Sequence, residues 1–138
     1  MTLIVDAGPL YAYYDADDKH HAACVALLDS DPGPLIVPTL VVTEVAYLIG
    51  RRAGWKAEVT LLGDIARGGV VVEPVRPPDW LRMAELVARY RDFPLGTVDA
   101  SVVACAERLR AGRIATVDRR HFGAIRPNHL PQFDLLPA

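Results

Sequence analysis

Short apolar segments rich in β-branched residues alternate with longer amphipathic segments along the chain. Leu3–Val5 is the first, and similar segments follow at 34–38, 70–75, 113–118 and 133–136. Most are continuously apolar rather than alternating, as expected for strands covered on both faces. The pattern predicts an α/β protein, a three-layer α/β/α sandwich with a central, mainly parallel sheet.

The amphipathic segments between these strands predict six helices. Caps, prolines, glycines and apolar periodicity set their expected limits. The first predicted helix begins at Pro9, and the second follows a cap at Asp17 or Asp18. The third follows a cap at Thr39 and ends near Gly54. The last three run from Trp55 to Arg67, from Pro77 to Arg91 and from Asp99 to Arg110. The 138 residues contain no repeat or linker, so one domain over residues 1–138 is expected.

Charge and composition exclude some classes of protein. The net charge is −2 and the isoelectric point is near 6.0, so any contact with nucleic acid would have to be local. Cys24 and Cys105 lie in helical segments and are expected to be buried thiols in a reducing compartment. Asp6 interrupts the N-terminal apolar run, and the apolar window 35–49 is shorter than the roughly 20 residues of a membrane span. A cytoplasmic protein without membrane contact is expected.

Four acidic residues occupy positions that suggest chemistry. Asp6 and Asp118 end predicted strands, where open parallel sheets bind ligands. Asp99 begins a helix, whose dipole favours an anion there. Glu44 lies on an apolar helix and should be desolvated unless it points into a cleft.

Each of these acids also has an ordinary explanation. Asp6 and Asp118 suit turns or caps, Asp99 suits the first turn of a helix, and Glu44 suits a solvent-facing position. Taken together, four carboxylates at one sheet edge have the composition of a site for Mg²⁺ or Mn²⁺. Hydrolysis of phosphodiesters uses such sites.

The segments around these acids carry a family resemblance. They read LIVDAGPLYAYYD (3–15), PLIVPTLVVTEVAYLI (34–49), FPLGTVDASVVACAERL (93–109) and IATVDRRHF (114–122). In this order they resemble PIN-domain ribonucleases, specifically the VapC toxins of type II toxin–antitoxin systems. The resemblance covers essentially the whole chain.

The resemblance implies an acidic tetrad of Asp6, Glu44, Asp99 and Asp118 around one or two Mg²⁺ or Mn²⁺ ions. Asp6 and Asp99 would be the most direct ligands, and the other two acids would act directly or through water. Thr116 matches a hydroxyl residue of the family and is expected to support the site. The chain departs from the family at Ala7 and Gly8, where many members have a Ser or Thr.

The activity implied by the resemblance is metal-assisted endonucleolytic cleavage of RNA that leaves a 5′-phosphate and a 3′-hydroxyl. The implied partners are a cognate antitoxin, with a helix in an apolar groove near the first helices, and a second copy of the chain. Arg119 and Arg120 follow Asp118 and are candidates for RNA-phosphate contacts or solvated surface residues. His121 and His129 lack partners at metal-ligand spacing, so structural or surface roles are expected.

Other functions remain open at this point. A non-catalytic PIN-like binding module would be expected to lack one or more of the acids. A phosphotransfer domain would need a second Asp where Gly8 stands or a lysine late in the chain, and no lysine follows Lys56. A PIN nuclease that processes RNA and is not a toxin has the same sequence features.

Overall fold

A parallel sheet with helices packed on it accounts for most of the chain. The computed structural model describes every residue from Met1 to Ala138. The elements are β1 (Leu3–Val5), α1 (Ala7–Tyr14), α2 (His21–Ser30), β2 (Leu35–Pro38), α3 (Thr39–Arg52), α4 (Trp55–Ala66), β3 (Val71–Glu73), α5 (Pro77–Arg89), α6 (Thr97–Arg108), β4 (Arg113–Ala115), α7 (Arg119–Ala124) and β5 (Asp134–Leu136).

The five strands are all parallel and lie in the order β3-β2-β1-β4-β5. Leu3 of the central strand pairs with Leu35 of β2 on one side and with Arg113 of β4 on the other. The connections run outward from β1 to β3 and then return past β1 to β4. Right-handed crossovers therefore place α1–α4 on one face and α5–α7 on the opposite face. The predicted three-layer α/β/α sandwich is confirmed.

The hydrophobic core surrounds the central strand. Leu3, Ile4 and Val5 are completely buried, as predicted for a strand covered on both faces. Helix α6 is buried on all sides from Ala100 to Ala106, because it packs against β1, β2, α5 and α3. A continuous cluster of 27 buried apolar residues reaches from β1 to Phe133. This continuity supports the single domain, which stays a prediction.

Both cysteines are free and buried, as expected from their positions in helical segments. Burial raises the pKa of the Cys105 thiol to about 12, so this side chain behaves as a small apolar residue. No helix combines the length and the apolar character needed to cross a membrane.

The limits of the first two helices differ from the prediction. Helix α1 begins at Ala7 rather than Pro9, because Asp6 is its N-cap and the Asp6 carbonyl accepts a bond from the Leu10 amide. Helix α2 begins at His21. The Asp18 side chain accepts from the His20 amide at 2.8 Å and so stabilises a turn instead of capping the helix.

Other element limits were also wrong. Pro38, not Thr39, is the N-cap of α3, and the Thr39 hydroxyl donates to the carbonyl of Glu73 on β3. Strand β4 ends at Ala115, three residues before the predicted limit. Helix α7 was not predicted, because its six residues are too few to show a helical period. The elements β3, α4, α5, α6 and β5 are shorter than predicted or shifted by a few residues.

Candidate active site

The carboxyl ends of β1 and β4 form the place where a ligand is expected in this topology. These two strands are neighbours, and the connections that leave them run in opposite directions. Adjacent parallel strands of this kind leave a crevice beyond their carboxyl ends. The Asp6 amide donates to the Ala115 carbonyl at 2.9 Å, which ties the two strand ends together.

Asp6 is the most deeply placed of the four acids. The residue is 5% exposed, and Oδ2 accepts a hydrogen bond from the Thr116 hydroxyl at 2.8 Å. Its Oδ1 is buried and has no hydrogen-bond partner. Burial raises the pKa of Asp6 to about 7, the Ala7 amide and the Thr116 hydroxyl lower it, and the nearby charges of Asp99 and Asp118 raise it. An unpaired buried carboxylate oxygen is costly unless a proton or a cation satisfies it.

Thr116 connects two of the acids. Its hydroxyl donates to Asp6 Oδ2 and accepts from the Asp118 amide at 3.0 Å, and the residue is 1% exposed. Because β4 ends at Ala115, Thr116 and Asp118 lie beyond the strand, and strand alternation does not set the direction of their side chains. The loop after β4 turns the hydroxyl toward Asp6 instead.

Asp99 is the third residue of α6 and lies half-buried over the same crevice. Its Oδ2 accepts from the Gly96 amide at 3.3 Å, so it also takes part in capping its helix. Burial raises the pKa of Asp99, the charge of Asp118 raises it further, and the Gly96 amide and His121 lower it.

Glu44 lies on the exposed side of α3, although this helix is largely apolar. The buried positions of this helix are Val41, Val45 and Ile49, which occupy another face. Partial burial of the carboxyl nevertheless raises the pKa of Glu44, and the charge of Asp99 raises it further. Packing of α3 against α6 brings these two acids near one another. This interaction with Asp99 supports the alternative that the sequence left open, in which Glu44 points into a cleft.

Asp118 is the N-cap of α7, and both of its carboxylate oxygens have partners. Oδ1 accepts from the His121 amide at 3.0 Å, and Oδ2 is 2.8 Å from His121 Nδ1. The His121 ring packs on Phe93 with 4.7 Å between centroids. Sequence reasoning gave His121 only a structural or surface role and did not single out Phe93. The available signal for His121 was its spacing, three residues after the acid that caps its helix.

The two arginines after Asp118 are exposed, and they point to different neighbours. The Arg119 guanidinium donates to the carbonyls of Leu135 and Pro137, at 3.4 and 2.9 Å, and so is bound to the C-terminal segment. The Arg120 guanidinium lies 5.0 Å from the centre of the Phe93 ring. Both stand at the sheet edge that carries the acids, and Arg120 has no ion-pair partner.

The acidic residues fit a hard divalent cation. All four donors are carboxylates, and one buried Asp6 oxygen is without a partner. No three His, Cys, Asp or Glu side chains are close enough to form a closed cluster of metal ligands. Mg²⁺ usually keeps several waters and binds through one or two carboxylates, so an open arrangement suits it.

The absent hydroxyl at the second position after Asp6 has a steric reason. A Cβ on Gly8 would overlap the Cγ2 atom of Val117, which belongs to the loop between β4 and Asp118. Helix α1 therefore packs closely on that loop, and a Ser or Thr at position 8 does not fit without moving it.

A cavity of about 420 Å³ lies among α1, α2 and α4, on the face of the sheet opposite α6. Its lining is mainly apolar and includes Leu10, Leu28 and Leu61. At its rim the Tyr13 hydroxyl donates to Asp29 and the Tyr14 hydroxyl donates to Asp64, each at 2.7 Å.

The fold and the crevice define an α/β protein with carboxylates near the switch point of a parallel sheet. Residues 3–126 match the PIN domain family, and the chain belongs to that family. It is 36% identical over 135 residues to Ribonuclease VapC26 of Mycobacterium tuberculosis, a match that covers 98% of this chain and all of that protein. The resemblance stated from the sequence is confirmed.

Solved structures agree on the fold. The crystal structure of Mycobacterium tuberculosis VapC20, described as a sarcin–ricin loop cleaving toxin, matches with a TM-score of 0.83 and 23% identity over 89% of this chain and 95% of that one. A toxin–antitoxin complex from Klebsiella pneumoniae matches with a TM-score of 0.67 and 14% identity over 90% of this chain and 92% of that one. VapBC2 from Rickettsia felis, bound to a promoter DNA fragment, matches with a TM-score of 0.70 and 14% identity over 98% of each chain.

Proposed function

We propose that the chain is a metal-dependent endoribonuclease that hydrolyses RNA phosphodiester bonds and acts as the toxin of a toxin–antitoxin pair. The observation that carries the proposal is the buried Asp6 carboxylate, which has one unpartnered oxygen at the sheet switch point. Asp99, Asp118 and Glu44 line the same crevice. The similarity to a protein named as a VapC ribonuclease supports RNA as the substrate.

The four acids have different proposed roles in binding Mg²⁺ or Mn²⁺. Asp6 offers its free oxygen and Asp99 a half-buried carboxylate, so these two are the proposed direct ligands. Glu44 and Asp118 add negative charge near these two ligands. A divalent cation in this place supplies Lewis-acid activation of water and of the phosphate. Thr116 orients Asp6 through its hydrogen bond. Arg119 and Arg120 supply positive charge for RNA phosphates.

The test is RNA cleavage by the purified protein. Total cellular RNA and an isolated sarcin–ricin loop, the RNA named for VapC20, are incubated with Mg²⁺, and new 5′ ends are mapped. Cleavage is expected with wild type and should be lost in EDTA and in Asp6→Asn and Asp99→Asn. Asp17→Asn, which alters an exposed acid outside the crevice, should cleave normally. Cleavage that persists in EDTA or in both site variants contradicts the proposal.

We also propose that the antitoxin binds the surface formed by α1, α2 and α4. The apolar cavity there is large enough to receive side chains of a partner helix. Next to it, Trp55, Val59 and Leu62 form an exposed apolar stripe along α4. Two structural neighbours are toxin–antitoxin assemblies, which supports a protein partner of this kind.

A toxin and an RNA-processing nuclease differ in their effect on the cell. Induced expression of a toxin should arrest growth, and Asp99→Asn should relieve the arrest. A processing nuclease that is not a toxin should leave growth unchanged while still cleaving RNA in vitro. A non-catalytic binding module should do neither.

A further inference from the structure

His121 connects the two loops that bring Asp118 and Asp99 to the crevice. Its Nδ1 lies 2.8 Å from Asp118 Oδ2, and its ring packs on Phe93, with 4.7 Å between centroids and 51° between planes. Phe93 belongs to the loop that leads into α6, the helix that begins near Asp99. The ring is therefore fixed on one side by a carboxylate and on the other by an aromatic side chain.

The hydrogen bonds of this region form one continuous chain. A carboxylate oxygen accepts, so the proton between His121 and Asp118 belongs to Nδ1 of the ring. The Asp118 amide donates to Thr116 Oγ1, and the Thr116 hydroxyl donates to Asp6 Oδ2. The chain joins His121 to the most buried acid of the site.

Asp118 and Asp6 differ in how many of their carboxylate oxygens accept hydrogen bonds. Both oxygens of Asp118 accept hydrogen bonds from His121, one from the ring and one from the backbone amide. Asp6 keeps one buried oxygen without a partner. An acid that is already fully bonded is placed to act on a cation through water, and an acid with a free oxygen is placed to bind it directly.

We propose that His121 is a positioning residue, which holds the Asp118 carboxylate so that it acts on the divalent cation through water. The imidazole fixes the acid by its Nδ1 proton, and Phe93 fixes the imidazole. The proposal depends on the proposed function only in taking the acidic crevice as the cation site. Partners of this kind typically change metal affinity or activity by about 10- to 100-fold when removed.

Two substitutions separate the hydrogen bond from the packing of the ring. His121→Phe keeps an aromatic ring against Phe93 and removes the donor to Asp118. His121→Asn removes the ring but places an amide N–H near the position of Nδ1. A residue with only a packing role would tolerate the first change and suffer from the second.

The first measurement is the Mn²⁺ dissociation constant without RNA, by electron paramagnetic resonance titration. We expect His121→Phe to weaken Mn²⁺ binding by about 10-fold or more and His121→Asn to stay within about threefold of wild type. The melting temperature without metal should change little in His121→Phe. Unchanged Mn²⁺ affinity in His121→Phe, or equal weakening in both variants, overturns the proposal.

The second measurement is the tautomer of the ring, from a long-range ¹H–¹⁵N spectrum of metal-free wild type. We expect a protonated Nδ1, and a ring protonated only on Nε2 overturns the proposal. Neither measurement uses RNA. If no RNA is cleaved but Mn²⁺ binding follows the expected order, only the proposed function fails. If RNA is cleaved but the Mn²⁺ dissociation constant does not depend on a hydrogen-bond donor at position 121, only this inference fails.

Discussion

At the scale of single residues, the Asp6 carboxyl makes the stability of the metal-free protein depend on pH. Its pKa is about 7 in the folded chain and 3.8 as an ordinary carboxyl. Between these values the folded protein binds the proton more tightly than the unfolded chain does. The contribution of Asp6 to stability is thus full below about pH 4, is lost progressively up to about pH 7, and is flat above it.

Asp6→Asn should therefore remove this part of the pH dependence. We expect the metal-free variant to be more stable than wild type at pH 8, by about 2–4 kcal/mol, and to lose this advantage toward pH 4. Thermal unfolding in EDTA at several pH values measures the difference. Asp17→Asn, at an exposed acid, serves as the control and should follow the wild-type profile. Parallel curves for wild type and Asp6→Asn would contradict the assignment.

Thr116→Val tests the hydroxyl between Asp6 and Asp118. Valine has nearly the same shape but leaves the Asp6 oxygen and the Asp118 amide without this partner, at a cost of about 1–3 kcal/mol. The Thr116 bond lowers the pKa of Asp6 against the larger effect of burial, so its loss should raise that pKa further. The pH profile of RNA cleavage should shift to higher pH, and Thr116→Ser should restore it. An unshifted profile in Thr116→Val would show that the hydroxyl does not act on Asp6.

The candidate site could be predicted from sequence only in part. Asp6 and Asp118 were recognisable because each follows an apolar strand, and parallel strands end at a common edge. His121 was not recognisable, because its role depends on a contact with Phe93, which lies in another loop. The exposed position of Glu44 was also hidden, since an apolar helix does not reveal from its sequence which residues face a crevice.

At the scale of elements, the close packing of α1 on the β4–α7 loop holds the two strand ends in place. Gly8→Ala should disturb this contact, because the added methyl overlaps Val117. We expect a loss of about 1–3 kcal/mol and weaker RNA cleavage, since Val117 precedes Asp118. Gly123→Ala in α7 is the matched control, because nothing lies within 4 Å of a Cβ there. Chemical denaturation of both variants measures the free energy of unfolding. Equal values for the two variants would show that the loop moves to accept the methyl group without loss of stability.

The strands could be predicted more reliably than the helix ends. β1 and β2 are apolar because both of their faces are covered, and prolines mark the limits of β2. Helix ends depend on bonds that the sequence does not specify uniquely. Asp18 suits a cap as well as a turn, and only the bond from the His20 amide shows that it stabilises a turn. Thr39 is likewise a good capping residue, but its hydroxyl reaches the neighbouring strand β3.

At the scale of the whole molecule, two apolar surfaces remain exposed on different helices. The α4 stripe consists of Trp55, Val59 and Leu62, and it lies beside the apolar cavity. The α5 patch consists of Trp80, Leu81 and Val87. A chain of 138 residues that exposes two such surfaces has room for two partners. Because the cavity adjoins only the α4 stripe, we propose that this stripe serves the antitoxin and that the α5 patch joins two copies of the chain.

Charge placed in each surface separates the two roles. Trp80→Glu with Leu81→Glu should convert a dimer into a monomer of 15.1 kDa, measured by light scattering after size exclusion. Trp55→Glu with Leu62→Glu should leave the dimer intact and weaken binding of the co-expressed antitoxin by about 30-fold or more, because central aromatic residues contribute about 2 kcal/mol or more to interfaces. Each double variant is the control for the other, and both should keep RNA cleavage because neither changes the acidic crevice. A monomer produced by the α4 substitutions, with the α5 variant still dimeric, would reverse the assignment of the two surfaces.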